Sequence, residues 1–343
     1  MNEQLNKTIR TLCALPGPSG WEDPVRDWLT DQARPWADEL RVDRNGNLLV
    51  FKKGRKAPDK TLLLAAHMDE VGLLVRSVTE DGFIRFAFVG GVDRRVVLGK
   101  KVYLGEKSVP GVIGLKAVHL TTEAERKSVP KVDQLYIDIG AENKEEALEL
   151  VQPGDYGMFA AGVTQLSGGL LKAKALDDRV GCGILLELLK QDLPVDTWFA
   201  FTVGEESGCR GAFGAGFALK PDIAVIVEGT TAADSPAMEG ARKVCSPGKG
   251  PVLPFMDGGS IYDRGLFCRL RDLAEQHGIP WQTKTYLSGG TDASAIQRSG
   301  SGARVAAVSA AVRYIHAPSS VGCMEDFDRM YRLLGLFLED MAQ

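Results

Sequence analysis

Five short segments of this chain run toward a histidine or an acid and stop there. They are TLLLAAHMDE, KALDDR, FAFTVGEESG, IAVIVEG and RYIHAP, which carry His67 and Asp69, Asp177, Glu205 and Glu206, Glu228, and His316. A continuous apolar run is typical of a strand buried on both faces of a parallel sheet. In such sheets ligands bind outside the carboxyl ends of the strands. The pattern therefore predicts an α/β fold that brings scattered side chains to one rim.

Predicted strands and helices alternate before and after a central region, residues 72–163, that lacks this alternation. Before residue 72 the sequence predicts a helix over 3–15, a second helix capped by Ser19 with Glu22, a hairpin turning at Asn45-Gly46, and a buried strand. After residue 164 helical and strand patterns alternate in RVGCGILLELLKQ, TWFAFTV, GAFGAGFALK, IAVIV, RGLFCRLRDLAEQHG, WQTKTYL, VAAVSAAV and DFDRMYRLLGLFLEDM. We expect an α/β fold whose mainly parallel, mixed sheet is flanked by helices on both faces.

Residues 72–163 have a different sequence pattern. Short β-rich runs, LLVRSV, FIRFAFV, KVYLG, GVIGL and QLYIDIG, are separated by glycine, proline and charged turns, and one helical stretch, AENKEEALEL, interrupts them. We interpret 72–163 as a small β-rich domain inserted into a larger α/β domain formed by residues 1–71 and 164–343. The alternative at its first edge is that LLVRSVTEDGFIRFAFV forms a hairpin extending the main sheet.

Composition limits the class of protein. The 343 residues exceed what one core usually organises, and 44% hydrophobic with 25% charged residues is typical of a soluble globular protein. A net charge of -4 gives no basic surface for nucleic acid, and no apolar run is long enough to span a bilayer. The six cysteines form neither a CxxC pair nor a dense framework. We therefore expect reduced, buried thiols in a cytoplasmic protein.

Two of the four histidines have a setting suited to metal binding. Asp69 lies two residues after His67 along an extended chain, so its carboxylate falls on the same side and can hold the imidazole N–H while the other nitrogen binds a metal. His316 follows the end of a second predicted strand. His119 and His277 lack a comparable setting, and we interpret them as structural.

The adjacent acids Glu205 and Glu206 follow a predicted strand directly. Neighbouring carboxylates repel each other, which favours a division of labour in which Glu206 binds a metal and Glu205 acts as the general base on a water. The alternative is a charged strand end that opens a loop. Either way, two histidines and several carboxylates can hold a pair of divalent cations.

The remaining acids have plain structural alternatives. Asp177 and Asp178 precede a helix, where they can act as an N-cap and a first-turn acid, and for Asp178 a pairing with Arg179 favours this interpretation. Glu228 can cap a turn after its strand. The segment SGGTDASAI suits a loop that contacts substrate or a simple glycine turn, with the candidate residues Gly289, Gly290, Thr291 and Asp292.

Six motifs in order resemble those of one known family. HMDEVG, LDDR, VGEESGCRGA, SGGTDASAI, RYIHAP and LPGPSGWE look like the tetrahedral, glutamyl and deblocking aminopeptidases, metallopeptidase family 42, some of which carry an endoglucanase label. The resemblance runs from about residue 12 to the C-terminus. It implies a zinc-exopeptidase architecture of the phosphorylase/hydrolase-like type, a PDZ-like inserted domain used for dimerisation, peptide substrates, and assembly into oligomers that include tetrahedral dodecamers.

The resemblance also implies roles for individual residues. Asp177 would bridge two divalent ions, with Asp69 supporting one imidazole and Glu205 serving as the base. The remaining ligands would be His67 and Glu228 on one ion and Glu206 and His316 on the other. The ions would be zinc or cobalt, with manganese also compatible. The family usually has Asp where Glu228 stands, so one extra methylene has to be accommodated there.

Three other functions compete with an aminopeptidase. A related two-metal carboxypeptidase or deacylase would use the same ligands, and Glu228 favours it because such relatives often have Glu there. A glycoside hydrolase needs two carboxylates facing each other across a sugar bond, whereas neighbouring strand residues point apart. A non-catalytic assembly protein is expected to have lost ligands, and none of the proposed ligand positions is inert.

Overall fold

The chain folds into a large mixed sheet with helices and a separate small barrel. The computed structural model describes residues 2–236, 238–284, 286–287 and 289–343. Thr285 of the predicted strand WQTKTYL and Ser288 of the glycine loop lie outside the described residues, as do Met1 and Ala237. The α-helices are α1 (Glu3–Ala14), α2 (Asp23–Ala33), α3 (Glu123–Lys127), α4 (Lys144–Leu150), α5 (Leu176–Leu189), α6 (Arg210–Leu219), α7 (Arg264–Gln276), α8 (Ala293–Gln297) and α9 (Met324–Met341).

Fifteen strands form the sheet and the barrel within the described residues. They are β1 (Glu39–Val42), β2 (Leu48–Lys52), β3 (Leu62–His67), β4 (Gly72–Val78), β5 (Ile84–Val89), β6 (Lys101–Leu104), β7 (Val109–Gly114), β8 (Tyr136–Asp138), β9 (Tyr156–Phe159), β10 (Thr164–Gln165), β11 (Leu170–Ala173), β12 (Thr197–Thr202), β13 (Ile223–Thr231), β14 (Arg304–Arg313) and β15 (Ser320–Cys323).

The main sheet has the order β1-β2-β12-β3-β13-β14-β15-β11-β10. Its four central strands, β12, β3, β13 and β14, are parallel to one another. The strands on either side join it in antiparallel pairs. The predicted mixed sheet is confirmed, and the parallel part is confined to its centre. The carboxyl ends of all four central strands therefore lie together at one end of the sheet.

Helices cover both faces of this sheet, as predicted. On β3, Leu62, Leu64 and Ala66 pack into a core shared with α1, α2, α5, α7 and α9. Leu63 and Ala65 face the opposite side, where α6 and α8 cover them. Burial on both faces explains why the central strands read as continuous apolar runs. Helix α5 is buried on all sides behind the sheet, in keeping with a helix that is apolar all round.

The six strands β4 to β9 close into a barrel in the order β4-β5-β8-β7-β6-β9. The barrel has its own core, which includes Leu73, Phe86, Val102 and Ile137. Strands β4 and β5 pair with each other and with barrel strands, so this hairpin does not extend the main sheet. Closure leaves the barrel without free sheet edges. The boundaries at 72 and 163, and a PDZ-like character, stay predictions.

The predicted capping box at the start of α2 is wrong. The N-cap is Glu22, and it makes no side-chain cap. The Ser19 hydroxyl instead hydrogen-bonds the Ser207 hydroxyl at 2.8 Å. The Glu22 carboxylate accepts the N–H of Gly20 at 2.9 Å and that of Gly204 at 3.1 Å. Both side chains are used to fix the turn from Gly204 to Ser207 that carries Glu205, rather than to start the helix.

The predicted strand WQTKTYL is not formed in residues 281–284 and 286–287. Gln282 makes one isolated bridge to Val252, and its side-chain amide binds the backbone of Ser246 and Gly250. The segment therefore braces a loop beyond the sheet. Within the described residues no helix is both long enough and apolar enough to cross a membrane.

Candidate metal centre

The predicted site residues meet at the carboxyl edge of the four parallel strands. His67 is the last residue of β3 and lies opposite Thr202, the last residue of β12. Glu205 and Glu206 follow β12 in the next turn, and His316 follows β14. This is the edge where a parallel sheet presents its loops, and the structure brings these residues together there.

Asp69 and His67 form a buried pair. The His67 Nδ1 atom lies 3.3 Å from Asp69 Oδ1 and 3.1 Å from the Asp69 carbonyl oxygen. The two side chains are 1% and 0% exposed. This contact directs the other nitrogen, Nε2, toward Asp177 Oδ1 at 3.5 Å and Glu228 Oε1 at 4.0 Å. The imidazole is held in the orientation that a metal-binding histidine needs.

A second histidine lies on the other side of Asp177. His316 Nε2 is 3.2 Å from Glu206 Oε1 and 3.8 Å from Asp177 Oδ2. The two carboxylate oxygens of Asp177 thus face different imidazoles, Oδ1 toward His67 and Oδ2 toward His316. Asp177 also accepts the N–H of Gly229 at 3.0 Å. A carboxylate between two histidines, each with its own acid, is the arrangement expected of a bridging ligand.

Asp69 also fixes the turn that carries the paired glutamates. Its Oδ1 accepts the N–H of Glu205 at 3.0 Å, and its Oδ2 accepts that of Glu206 at 3.1 Å. These charge-assisted hydrogen bonds and the contact with His67 give one carboxylate two positioning functions. They lower the pKa of Asp69 despite the raising effect of burial, so it stays ionised.

Several buried polar atoms at this centre lack a hydrogen-bond partner among the described residues. They are His67 Nε2, Asp178 Oδ2 and Glu228 Oε2. Leaving such groups unpaired costs free energy. Imidazole nitrogens and carboxylate oxygens are the donors that zinc, cobalt and manganese accept. The residues present therefore fit a divalent metal centre.

The acids at this centre need positive charge. Burial raises the pKa of Glu205 to about 8, against the lowering effect of His67 and with further raising by Asp292 and Glu206. Burial also raises the pKa of Glu228 well above its usual range. For His316 burial lowers the pKa, but Glu206 and Asp177 outweigh this and raise it to about 9. Bound cations would allow these acids to ionise.

Two sequence interpretations of the acids are wrong. Glu228 lies inside β13, which runs on to Thr231, so it does not cap a turn. Asp178 does not pair with Arg179, whose guanidinium binds backbone carbonyls near residues 12–17 and Glu70. Asp178 is fully buried, accepts the N–H of Gly181 at 2.9 Å, and offers a donor atom to the same group as His67 and Glu228.

The peptide bond between Asp177 and Asp178 is cis, and neither residue has helical dihedral angles. Regular helix therefore begins only after them. Asp178 Oδ1 accepts the N–H of Gly181 three residues on, as an N-cap side chain does, so the predicted N-cap role of Asp178 is confirmed. The sequence did not predict that Asp178 is fully buried.

The glycine loop and its neighbours form the wall of a cavity of about 450 Å³ at this rim. Gly289, Gly290 and Thr291 line it, whereas Asp292 is fully buried below. Asp292 makes no cap on α8; its Oδ2 accepts the Thr202 hydroxyl. Sequence reasoning missed other residues that line the cavity: Cys209, Asp257, Tyr262 and Lys284. They come from loops whose packing no local pattern reports.

The remaining histidines and cysteines agree partly with their interpretations. His119 and His277 are exposed and belong to none of the histidine and acid clusters found among the described residues. The six cysteines are all free, and four are buried. Cys209 and Cys268 are partly exposed, so the expectation of buried thiols is wrong for these two.

Comparison with known proteins identifies the family of this chain. Residues 46–333 match the family described as M42 glutamyl aminopeptidase. Lysyl aminopeptidase of Pyrococcus furiosus is 33% identical over 342 residues, which cover 97% of this chain and 96% of that protein.

Solved structures show the same fold over almost the whole chain. Aminopeptidase APDkam598 from Desulfurococcus kamchatkensis superposes with a TM-score of 0.93 at 33% identity, covering 99% of this chain and 97% of its own. The Pyrococcus horikoshii TET1 peptidase, which can assemble into a tetrahedron or a large octahedral shell, gives a TM-score of 0.86 at 35% identity, covering 97% and 99%. With the family match, these likenesses lead to one conclusion: this chain belongs to the M42 glutamyl aminopeptidase family of peptide hydrolases.

Proposed function

We propose that this chain is a dinuclear metallo-aminopeptidase in which Glu205 is the general base. The observation that carries the proposal is the position of Asp177, whose two oxygens lie 3.5 and 3.8 Å from the Nε2 atoms of two different histidines. Each histidine has a further acid nearby, Glu228 for His67 and Glu206 for His316. Two separate donor sets thus share one carboxylate.

The ligand assignment follows these two sets. His67 and Glu228 would hold one ion, Glu206 and His316 the other, and Asp177 both. Zinc or cobalt suits this mixture of imidazole and carboxylate donors, and manganese is compatible with it. The Glu228 side chain reaches 4.0 Å from His67 Nε2 from within β13, so its extra methylene is accommodated without displacing the strand. Two divalent ions held there would polarise the scissile carbonyl and acidify a water.

Glu205 is well placed for proton transfer. Its backbone is fixed by Asp69, and its carboxylate borders the cavity. Burial raises its pKa to about 8 in the chain without cations. Bound cations would lower this pKa, so that the ionised carboxylate can accept a proton from the attacking water and return it to the leaving amine. Asp69 acts as a positioning residue for both His67 and the base.

The cavity defines where a peptide would lie. Gly289, Gly290 and Thr291 would contact the substrate, with the open glycine backbone leaving room for a close approach. Acids at the rim suit a free α-amine, which would limit cleavage to the N-terminal residue. A buried lysine, Lys284, and the buried acids Asp257 and Glu228 line the cavity.

The proposed function includes association of this chain with copies of itself. Because the P. horikoshii relative can form a tetrahedron, we propose a homo-oligomer built from dimers that contact through the barrel. Light scattering coupled to gel filtration tests this; a monomeric mass at micromolar concentration would contradict it. The cytoplasmic location stays a prediction.

The test of function combines metal analysis with one substitution. Glu205→Gln should retain both ions but lose turnover by about 100-fold or more, because the amide cannot accept the proton. Asp177→Ala should instead lose the metal pair. Metal content per subunit and hydrolysis of aminoacyl chromogenic substrates, with a chelator control, measure both effects. Unchanged turnover in Glu205→Gln would remove the proposed base.

The substrate panel separates the competing hydrolases. Peptides with free amines and the same peptides with acylated amines distinguish an aminopeptidase from a deacylase, because only the former needs the free amine. Cleavage of the acylated set alone would exclude the aminopeptidase. A glycoside hydrolase is disfavoured because the Glu206 carboxylate contacts His316, whereas that of Glu205 lies beside Cys209. The two acids do not face each other across one bond.

A further inference from the structure

A second group of donors lies beside the ligands assigned above. The carboxylates of Glu205 and Asp292 and the thiol of Cys209, here called the thiol cluster, offer three donor atoms that all lie within 4.8 Å of one another. We propose that the thiol cluster is a third cation site, which takes a thiophilic divalent ion such as Cd²⁺ or Zn²⁺ and thereby removes Glu205 from the reaction. The inhibition rests on the proposed function, whereas the binding does not.

Two of the three donors already have the spacing of ligands to one ion. Cys209 Sγ lies 3.6 Å from Glu205 Oε1. Tetrahedral zinc with bonds of about 2.3 Å to sulfur and about 2.0–2.2 Å to oxygen separates those ligands by roughly 3.5 Å. The turn between them is fixed, because the Glu205 carbonyl accepts the N–H groups of Gly208 and Cys209 at 2.8 and 2.9 Å.

The third donor is a buried carboxylate with a spare oxygen. Asp292 is 0% exposed, and its Oδ2 accepts the Thr202 hydroxyl. Its Oδ1 has no hydrogen-bond partner among the residues that the structure describes. An unpaired buried carboxylate oxygen is costly, and a cation beside Glu205 and Cys209 would satisfy it. Asp292 directly precedes α8, so this oxygen comes from a part of the chain separate from the turn that carries Glu205 and Cys209.

The thiol is accessible and is selective for soft ions. Cys209 is partly exposed and lines the same cavity as Asp177. Burial and the neighbouring acids raise the pKa of its thiol, so the sulfur is protonated until an ion arrives. Binding breaks the S–H bond, forms a sulfur–metal bond and releases the proton to solvent. Thiolate favours zinc and cadmium over magnesium or manganese.

The test uses cadmium alone as the probe. The enzyme carrying its two original ions is titrated with Cd²⁺, and the metals bound per subunit are counted after desalting. Ultraviolet sulfur-to-cadmium charge-transfer absorption reports the thiolate bond. The wild type should gain one Cd²⁺ with this absorption, retain both original ions, and lose peptide hydrolysis by about 100-fold or more.

Two cysteine variants make the result specific. Cys209→Ser should gain neither the extra ion nor the absorption, and its rate should stay at its own starting value. Cys268→Ser, which removes the other partly exposed thiol, on α7, should behave as the wild type. Equal uptake and absorption in Cys209→Ser would overturn the site. Inhibition that persists in Cys209→Ser would overturn the link to Glu205.

In this experiment the cation site and the aminopeptidase activity can fail independently of each other. If no peptide is cleaved but the cadmium absorption appears in the wild type and not in Cys209→Ser, the aminopeptidase proposal fails and the cation site stands. If peptides are cleaved and no absorption appears, the cation site fails alone.

Discussion

Asp177 approaches both imidazoles, and a glycine keeps the space it needs. The N–H of Gly229 binds Asp177 Oδ1, and a methyl group added at residue 229 would lie 2.7 Å from that oxygen. Gly229→Ala should therefore displace Asp177 and reduce turnover by about 100-fold, measured by steady-state hydrolysis together with metal content. Gly335→Ala in α9, where nothing lies within 4 Å, is the matched control and should keep full turnover. Normal metal content and turnover in Gly229→Ala would contradict the geometry.

Asp69 carries no metal in this assignment, yet its charge should control metal affinity. In Asp69→Asn the amide nitrogen is a donor, so the side chain can no longer accept both the Glu205 and Glu206 N–H groups. We expect metal affinity to fall by about 10–100-fold, with turnover recovered when more metal is supplied. Metal titrations with activity as readout measure this. Asp31→Asn, an exposed acid on α2, is the control; turnover lost without recovery would contradict a positioning role.

The sequence predicted the residues that end buried strands and failed where one local motif served two purposes. His67 and Glu206 could be found because apolar runs stop beside them. Asp178 accepts the N–H of Gly181 as the predicted N-cap does, but its carboxylate is also buried in the same cluster as His67 and Glu228, which the N-cap interpretation did not predict. Cys209 gave no signal, because its position beside Glu205 depends on a tight turn with a left-handed residue at 209.

At the scale of elements, a buried ionic network joins α1 to α5 and β3. Glu70 Oε1 accepts Lys174 Nζ at 2.6 Å and an Arg179 nitrogen at 3.4 Å. The same cations donate to the carbonyls of Leu12 and Leu15 at the end of α1, each at 2.7 Å. All three charged side chains are at most 5% exposed.

Glu70→Gln should destabilise the fold strongly. It leaves two buried cations without their counter-charge, and breaking a buried ion pair in this way costs about 3–5 kcal/mol. The midpoint of urea unfolding measures the loss. Glu339→Gln is the control, because it breaks a pair with Arg55 in which both side chains are about half exposed and should shift the midpoint little. Equal shifts in the two variants would show that burial does not increase the contribution of the ion pair to stability.

Periodicity predicted most elements because their apolar residues repeat along one segment. It failed for WQTKTYL, whose alternation resembles a strand but whose Gln282 amide is used to brace residues 246–250. It also ended β13 too early, since Glu228 is polar but pairs in the sheet opposite Ser309. Both errors arise where a polar residue is satisfied by partners far along the chain.

At the scale of the molecule, closure of the barrel and assembly of the candidate site both depend on contacts between residues that are far apart in the chain. The barrel closes through β9, which pairs with β4 and β6, and no local pattern specifies those partners. The barrel also approaches the candidate metal centre: a methyl group at Gly90 would lie 3.3 Å from the Glu206 Cβ atom, and one at Gly91 would lie 3.3 Å from His316 Nδ1. The β-rich pattern of residues 72–163 predicted the inserted domain; only the fold shows that it borders the candidate site.

Because buried acids cluster at the candidate site, we expect metal removal to change the stability of the whole molecule. Burial raises the pKa of Glu205 from 4.5 to about 8 in the chain without cations. Such a group binds its proton more tightly when folded. Its stabilising contribution is therefore complete below pH 4.5 and is lost as pH rises toward 8, at up to about 1.4 kcal/mol per pH unit. Bound cations would replace the proton and remove this dependence.

We therefore expect the chelated enzyme to lose thermal stability between pH 5 and pH 8, while the metal-loaded enzyme changes much less. The difference between their melting temperatures should widen as pH rises, which differential scanning fluorimetry can follow. In chelated Glu205→Gln the slope should be shallower, because the amide does not titrate. If the chelated and loaded enzymes had the same slope, the acids would not be competing for protons and cations, and the two ions could not be the charge that this rim of the sheet requires.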